Sequence, residues 1–319
     1  MIKRAQLIVS HPPFWHNGSR ITERSYHTMW ALLPAALLGL SQYGVPALGV
    51  VCLSISSAIG WELAMNRLMK RPVTVGDGNA ALIGFIFGLM LPATMPWWAV
   101  LTGTFVAIVI AQQIFGGIGA NPFNPVCVAY AILMVSWRDL FDFDMALVNY
   151  DLGFTMLYPL GAAKAFGSQA VASLSSVDLL MGRQVGGIGT TFGFGLIAGG
   201  LYLILRGFIR WEVALSYLVG TFVTAALFHV ANPQQYAGPG FHLLAGYTLF
   251  AAFFLLTESA TSPVNFVAML LYGAVAGLMT VLIRNIGAFP EGVIYAVLVA
   301  NMINPLLDKI RPKALGKVS

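Results

Sequence analysis

Long apolar runs, each closed by a short cluster of Gly, Pro, Asn or charged residues, follow one another along most of this chain. Runs of this kind predict helices that span a membrane, since a straight crossing takes roughly 20 apolar residues. Ten segments are predicted, at about 28–42, 44–66, 80–92, 97–115, 122–136, 191–207, 212–230, 241–257, 265–285 and 289–307. Several are shorter than a straight span requires. One region breaks the pattern: residues 137–190, including "DLGFTMLYPLGAAKAFG" (151–167), are too polar and too interrupted to cross a bilayer. The chain therefore divides into an N-terminal tail with a first five-helix half (1–136), an extracytoplasmic loop (137–190), and a second five-helix half with a tail (191–319).

Charge orients this arrangement. With both termini in the cytoplasm, the inner face receives Lys3, Arg4, Arg20, Arg24, Arg67, Lys70, Arg71, Arg206, Arg210, Lys309, Arg311, Lys313 and Lys317. The outer face receives Arg138, Lys164, Arg183 and Arg284. That asymmetry is what the positive-inside rule predicts.

An internal repeat is also visible. "GNAALIGFIFGLMLPATMP" begins at Gly78 and "GYTLFAAFFLLTESATSP" at Gly246; "GANPFNPVCVAYAIL" begins at Gly119 and "GAFPEGVIYAVL" at Gly287. Both pairs share one offset, 168 residues. Five spans per half make the halves enter the membrane from opposite sides, and inverted repeats place their sites near the midplane where interrupted helices meet. The pairs expected to do so are 80–92 with 246–257, and 119–136 with 287–307.

Composition narrows the function classes. The 319 residues are 58% hydrophobic and 9% charged, against about 25% charged in soluble domains. The net charge of +5 is read as topology rather than as nucleic-acid binding. The basic N-terminus has no apolar core of a signal peptide. Cys52 and Cys127 sit in apolar runs and read as small buried hydrophobes. His229 and His242 have no clustered Cys or carboxylate partners, so no metal site is expected. No Walker loop, nucleophile elbow or HExxH is present.

Candidate chemistry lies in the interrupted segments. "GGIGANPFNP" (116–125) leads into a helix start at Asn124-Pro125, where Pro costs no hydrogen bond. Asn121 and Asn124 either cap that helix or bind a polar ligand at it. "LLTESATSP" (255–263) brings Thr257 and Glu258 to the end of an apolar helix, with Glu258 either functional or solvated at the interface. "VGDGNAALIG" (75–84) adds Asn79, and Asp77 as a cap. Glu62 reads as interfacial.

These segments resemble the D subunit of the Rnf electron-transport complex and, more distantly, the B subunit of the sodium-pumping NADH:quinone oxidoreductase. The resemblance runs from "SHPPFWHNGSRIT" to "NMINPLLDKIRP", strongest in "GGIGANPFNP", "LTESATSP" and "GAFPEGVIYAVLVAN". It implies an all-α polytopic fold of ten helices in two inverted five-helix repeats, related to urea channels. It also implies a flavoprotein subunit in a bacterial or archaeal cytoplasmic membrane, partnered by the A, B, C, E and G subunits of the Rnf complex. Such a complex moves electrons between ferredoxin and NAD in coupling to Na+ or H+ transport.

The implied cofactors are riboflavin, FMN or both. Asn79, Asn121, Asn124, Thr257 and Glu258 would line a noncovalent site in the membrane. The family attaches a further FMN through phosphate to a threonine of the outer loop, commonly in an "ATPL" stretch. Here that stretch reads "MLYPL", with Tyr158 in place of the threonine. The loop has then lost its flavin, holds one noncovalently against Tyr158, or attaches it at Thr155, with Thr190 and Thr191 more remote. Two other functions fit the residues: a urea-channel-like solute channel, and a scaffold subunit without flavin.

Overall fold

A computed structural model describes residues 20–154 and 156–310. Thr155 and the terminal charges Lys3, Arg4, Arg311, Lys313 and Lys317 lie outside the described residues, among which the ordered elements are all helical. The first helical stretch, Ile21–Leu68, is broken at Gly44, whose φ of 67° and ψ of −148° are open to glycine and hostile to other residues. It is therefore two legs, α1 (21–43) and α2 (45–68). α3 (Asn79–Met90) fixes their directions. It starts beside Ser25 and Met29 of α1, while its Gly84 and Gly88 pack on Ser54–Ala58 and Val51–Ser54 of α2 in reverse order. α1 and α2 thus form a hairpin.

The remaining helices are α4 (Trp97–Gln113), α5 (Pro125–Ser136), α6 (Pro159–Phe166) in the loop 137–190, α7 (Gly193–Leu205), α8 (Trp211–Ala231), α9 (248–255), α10 (Phe266–Asn285) and α11 (Val293–Leu307). Each of the ten predicted segments is occupied by helix. Three helical stretches, Ile21–Leu68, Trp211–Ala231 and Phe266–Asn285, are long and apolar enough to cross a membrane, and five shorter apolar helices accompany them. The outward residues Leu37, Leu205, Leu227 and Val230 are exposed and apolar, as lipid contact requires.

Three expectations change. Cys127 is buried, but Cys52 faces outward. Glu62 is buried rather than interfacial, because the chain after α2 folds back and Thr74 donates to its Oε1 at 2.7 Å. The loop 137–190 is not water-facing throughout, for residues 184–191 are buried. There, Ile188 and Gly189 donate their amides to Leu91 O and Leu89 O at the end of α3. This approach needs Gly187, where an added Cβ would stand 2.6 Å from Met90 O.

Gly187→Val is expected to lower stability by about 1–3 kcal/mol, read as the thermal unfolding midpoint in detergent. Gly49→Ala, with open space around it, is the control and should be neutral.

Candidate functional site

The site grows from three helix ends that meet inside the bundle. Asn124 caps α5 by accepting the amides of Val126 (3.0 Å) and Cys127 (3.2 Å), and Pro125 occupies the first turn at no hydrogen-bond cost. Its own amide donates to Asn301 Oδ1 of α11 at 2.9 Å, and its Nδ2 donates to Leu255 O at the end of α9 at 3.0 Å. Asn301 is held in turn, donating to Tyr272 Oη at 2.7 Å. At α3, Asp77 accepts the amide of Asn79 at 2.8 Å, so it satisfies the helix start while Gly78 holds the capping position.

These ends enclose a cavity of about 350 Å³, inside the range of small-molecule and cofactor pockets. Asn79, Asn121, Asn124, Thr257 and Glu258 all line it, with Arg24 and Gln112. Its apolar walls include Ile83, Ile86, Phe253 and Phe254. Two stretches of π-helix contribute to it, Val106–Gln113 through Gln112 and Ala251–Leu255 through both phenylalanines. Such widened turns are frequent at functional sites.

The polar side chains divide into positioned and free. Asn121 Nδ2 donates to Glu258 Oε1 at 3.0 Å and also to Phe123 O; Thr261 donates to Glu258 Oε2 at 3.1 Å. Both carboxylate oxygens are thus fixed by neutral donors. Arg24 Nη2 donates to Thr257 O at 3.0 Å, and the Thr257 hydroxyl is committed to Phe253 O at 2.6 Å. The Asn79 side chain has no hydrogen-bond partner among the described residues. Asn124 caps a helix and lines the cavity at once.

Tyr158 lies elsewhere. It belongs to a second cavity of about 210 Å³ near the start of α9, lined also by Tyr130, Arg138, Asp139, Asp142, Asp144, Phe289 and Glu291. Its phenol is buried and donates to Glu291 Oε2 at 3.5 Å, and its ring leans on Phe143 with centroids 5.1 Å apart. Burial, reinforced by the Glu291 carboxylate, pushes that phenol well above its ordinary range, so it stays a donor. Burial also raises the Asp144 carboxyl, partly offset by the Tyr158 amide it accepts at 2.7 Å. Glu291 forms a fully buried ion pair with Arg284 at 2.9 Å.

The profile of the NQR2, RnfD, RnfE family matches residues 8–316. The chain belongs to that family. It is 31% identical over 344 aligned residues to the D subunit of the ion-translocating oxidoreductase complex of Cronobacter sakazakii, covering 97% of this chain and 98% of that protein. It is 32% identical over 319 residues to the D subunit of the proton-translocating ferredoxin:NAD(+) oxidoreductase complex of Clostridium ljungdahlii, covering 97% and 95%. It is 34% identical over 291 residues to the D subunit of the Na(+)-translocating ferredoxin:NAD(+) oxidoreductase complex of Acetobacterium woodii, covering 91% and 88%.

Sequence reasoning missed Arg24, Gln112 and Asn301. A basic residue before the first span reads as topology, and an Asn far along a late helix gives no local sign that it receives another helix's first amide. Asn301→Leu should strand the Asn124 amide and the Tyr272 hydroxyl, at about 1–3 kcal/mol for each unsatisfied group. Thermal unfolding in detergent measures this, with the exposed Met302→Ala as the control expected to be silent.

Proposed function

We propose that this chain is the D subunit of an ion-translocating ferredoxin:NAD oxidoreductase complex, and that it carries a flavin noncovalently in the cavity at Asn121 and Glu258. The observation that carries the reading is that cavity. It combines two apolar faces suited to a planar ring with amide, hydroxyl and carboxylate groups suited to its polar edge, inside a chain of this family. When bound, the flavin supplies electron transfer, and the protein positions it and tunes its surroundings. Ile83, Ile86, Phe253 and Phe254 would hold the ring faces and exclude water. Asn79, Asn121 and Asn124 would meet its edge, while Asn121 and Thr261 hold the Glu258 carboxylate still.

A phosphoester of FMN at Tyr158 does not fit. The phenol is buried and its oxygen faces the Glu291 carboxylate, where a phosphate would meet like charge. We therefore assign no covalent flavin to Tyr158.

The wider architecture belongs to the same reading: ten crossings as two inverted halves, both termini cytoplasmic, in a bacterial or archaeal cytoplasmic membrane, with the A, B, C, E and G subunits of the Rnf complex as partners. Helix positions support it, for α8, α9, α10 and α11 begin within two residues of where a 168-residue offset places them from α2, α3, α4 and α5. Gly78 and Gly246, one offset apart, share the left-handed conformation with φ of 74° and 66°. The start of α3 lies beside Ser25, and the end of α9 receives Arg24. The end of α3, at Met90 O, accepts from Tyr247 at the start of α9. The equivalent helices α3 and α9 therefore run in opposite directions.

The two ferredoxin:NAD relatives are named for different ions, H+ and Na+. A solute channel has less support. Fully buried Phe250 lies on α9 between Phe253 of the inner cavity and Tyr247, whose hydroxyl meets that of Tyr130 in the outer one.

Detergent-purified protein should show flavin absorption that moves entirely to the supernatant on acid precipitation. Flavin retained in the pellet would overturn the noncovalent assignment, and a native sample without flavin from the intact complex would overturn the redox role. Replacing Asn121 by Leu should remove most of the bound flavin, roughly a tenfold or greater loss of affinity for one lost charge-positioning hydrogen bond, with unchanged assembly.

A further inference from the structure

A third cavity lies at the outer face, between the end of α10, the helix Pro239–Leu244 and α6. It measures about 40 Å³, the room of one or two waters on a scale where each occupies about 30 Å³. Its polar lining comes from Arg284, His242, Asn285, Lys164, Gln235 and Tyr236, and it contains no carboxylate.

Its donors are in excess. Arg284 and His242 are each only 3% exposed. Arg284 uses Nη1 on His242 O at 2.9 Å, and Nη2 on Ala245 O at 3.2 Å and on Glu291, but its Nε has no partner among the described residues. Neither ring nitrogen of His242 has one, nor does Asn285 Nδ2. Burying unsatisfied donors is costly, and a neutral imidazole still presents one N–H. Glu291, which neutralises Arg284, lines the neighbouring cavity and not this one. Lys164 adds a positive charge with no ion pair among the described residues; its Nζ donates to Gly287 O and Phe289 O.

We propose that this cavity is a binding site for a monatomic anion of the halide class, held by Arg284 Nε, His242, Asn285 Nδ2 and Lys164. Water can fill the volume, but water brings its own donors to a wall already rich in them. An anion satisfies several donors at once through charge-assisted hydrogen bonds. Bound there, it braces the end of α10 against the outer loop and so fixes the Arg284 guanidinium that holds Glu291. The inference stands on these groups alone and does not depend on the flavin reading.

The test is a titration of the full-length chain, in detergent, with sodium bromide or chloride against sodium gluconate at constant ionic strength, read as the thermal unfolding midpoint. Ligand binding to the folded state raises that midpoint saturably, here by on the order of 2 °C at saturation. The rise is expected with both halides and not with gluconate or sulfate. It should vanish in Asn285→Leu and in Lys164→Met, changes at positions that are not fully buried and that leave the Arg284–Glu291 pair intact. Equal midpoints in bromide and gluconate would mean that water fills the cavity. A preference for sulfate, or a halide effect that survives both substitutions, would place anion binding elsewhere. Each of those results overturns the proposal.

Discussion

A helix that stops inside a membrane leaves amides and carbonyls that lipid cannot satisfy, and each unsatisfied group costs several kcal/mol. The centre of this protein is organised by that constraint. α3, α5 and α9 all end or begin within the bundle, and every one of those ends that bears on the cavity has an identified partner. Asn124 closes the start of α5, Asn301 takes the backbone amide of Asn124, and Leu255 O takes the Asn124 side-chain amide. The end of α3 is met by Tyr247 and by the amides of Ile188 and Gly189. Asn124 does two jobs at once, satisfying the start of α5 and lining the cavity.

The opposite end of α9 follows the same logic with charge in place of amides. A buried ion pair contributes little net stability, yet removing one partner is strongly destabilising. Glu291 is fully committed: it accepts from Arg284, from the Tyr247 and Val293 amides, and from the Tyr158 hydroxyl. The Tyr158 hydroxyl completes the shell of this buried carboxylate.

Much of the framework is legible in the sequence because it depends on local pattern. Hydropathy places ten helices where helices occur, and Asn124-Pro125 announces a helix start that the structure contains. Gly44 is the first residue of the second predicted segment, although the pattern does not say that the chain reverses there. What the sequence hides is set by tertiary meeting. Glu62 looks interfacial until the segment carrying Thr74 folds back on it. Residues 184–191 look like part of a polar loop, but their glycines let the backbone press against the end of α3. The bonds of Asn301 to the Asn124 amide and of Arg24 to Thr257 O join residues 177 and 233 positions apart in sequence.

The most direct measurement of the central claim is a high-resolution density map of the intact complex in its lipid or detergent shell. The account predicts a planar three-ring density in the cavity between Phe253, Phe254 and Ile86, with its polar edge toward Asn79, Asn121 and Glu258. It also predicts no continuous density from Tyr158 Oη to a phosphate. A cavity filled by lipid or water, with flavin density elsewhere in this chain or joined to Tyr158, would contradict it.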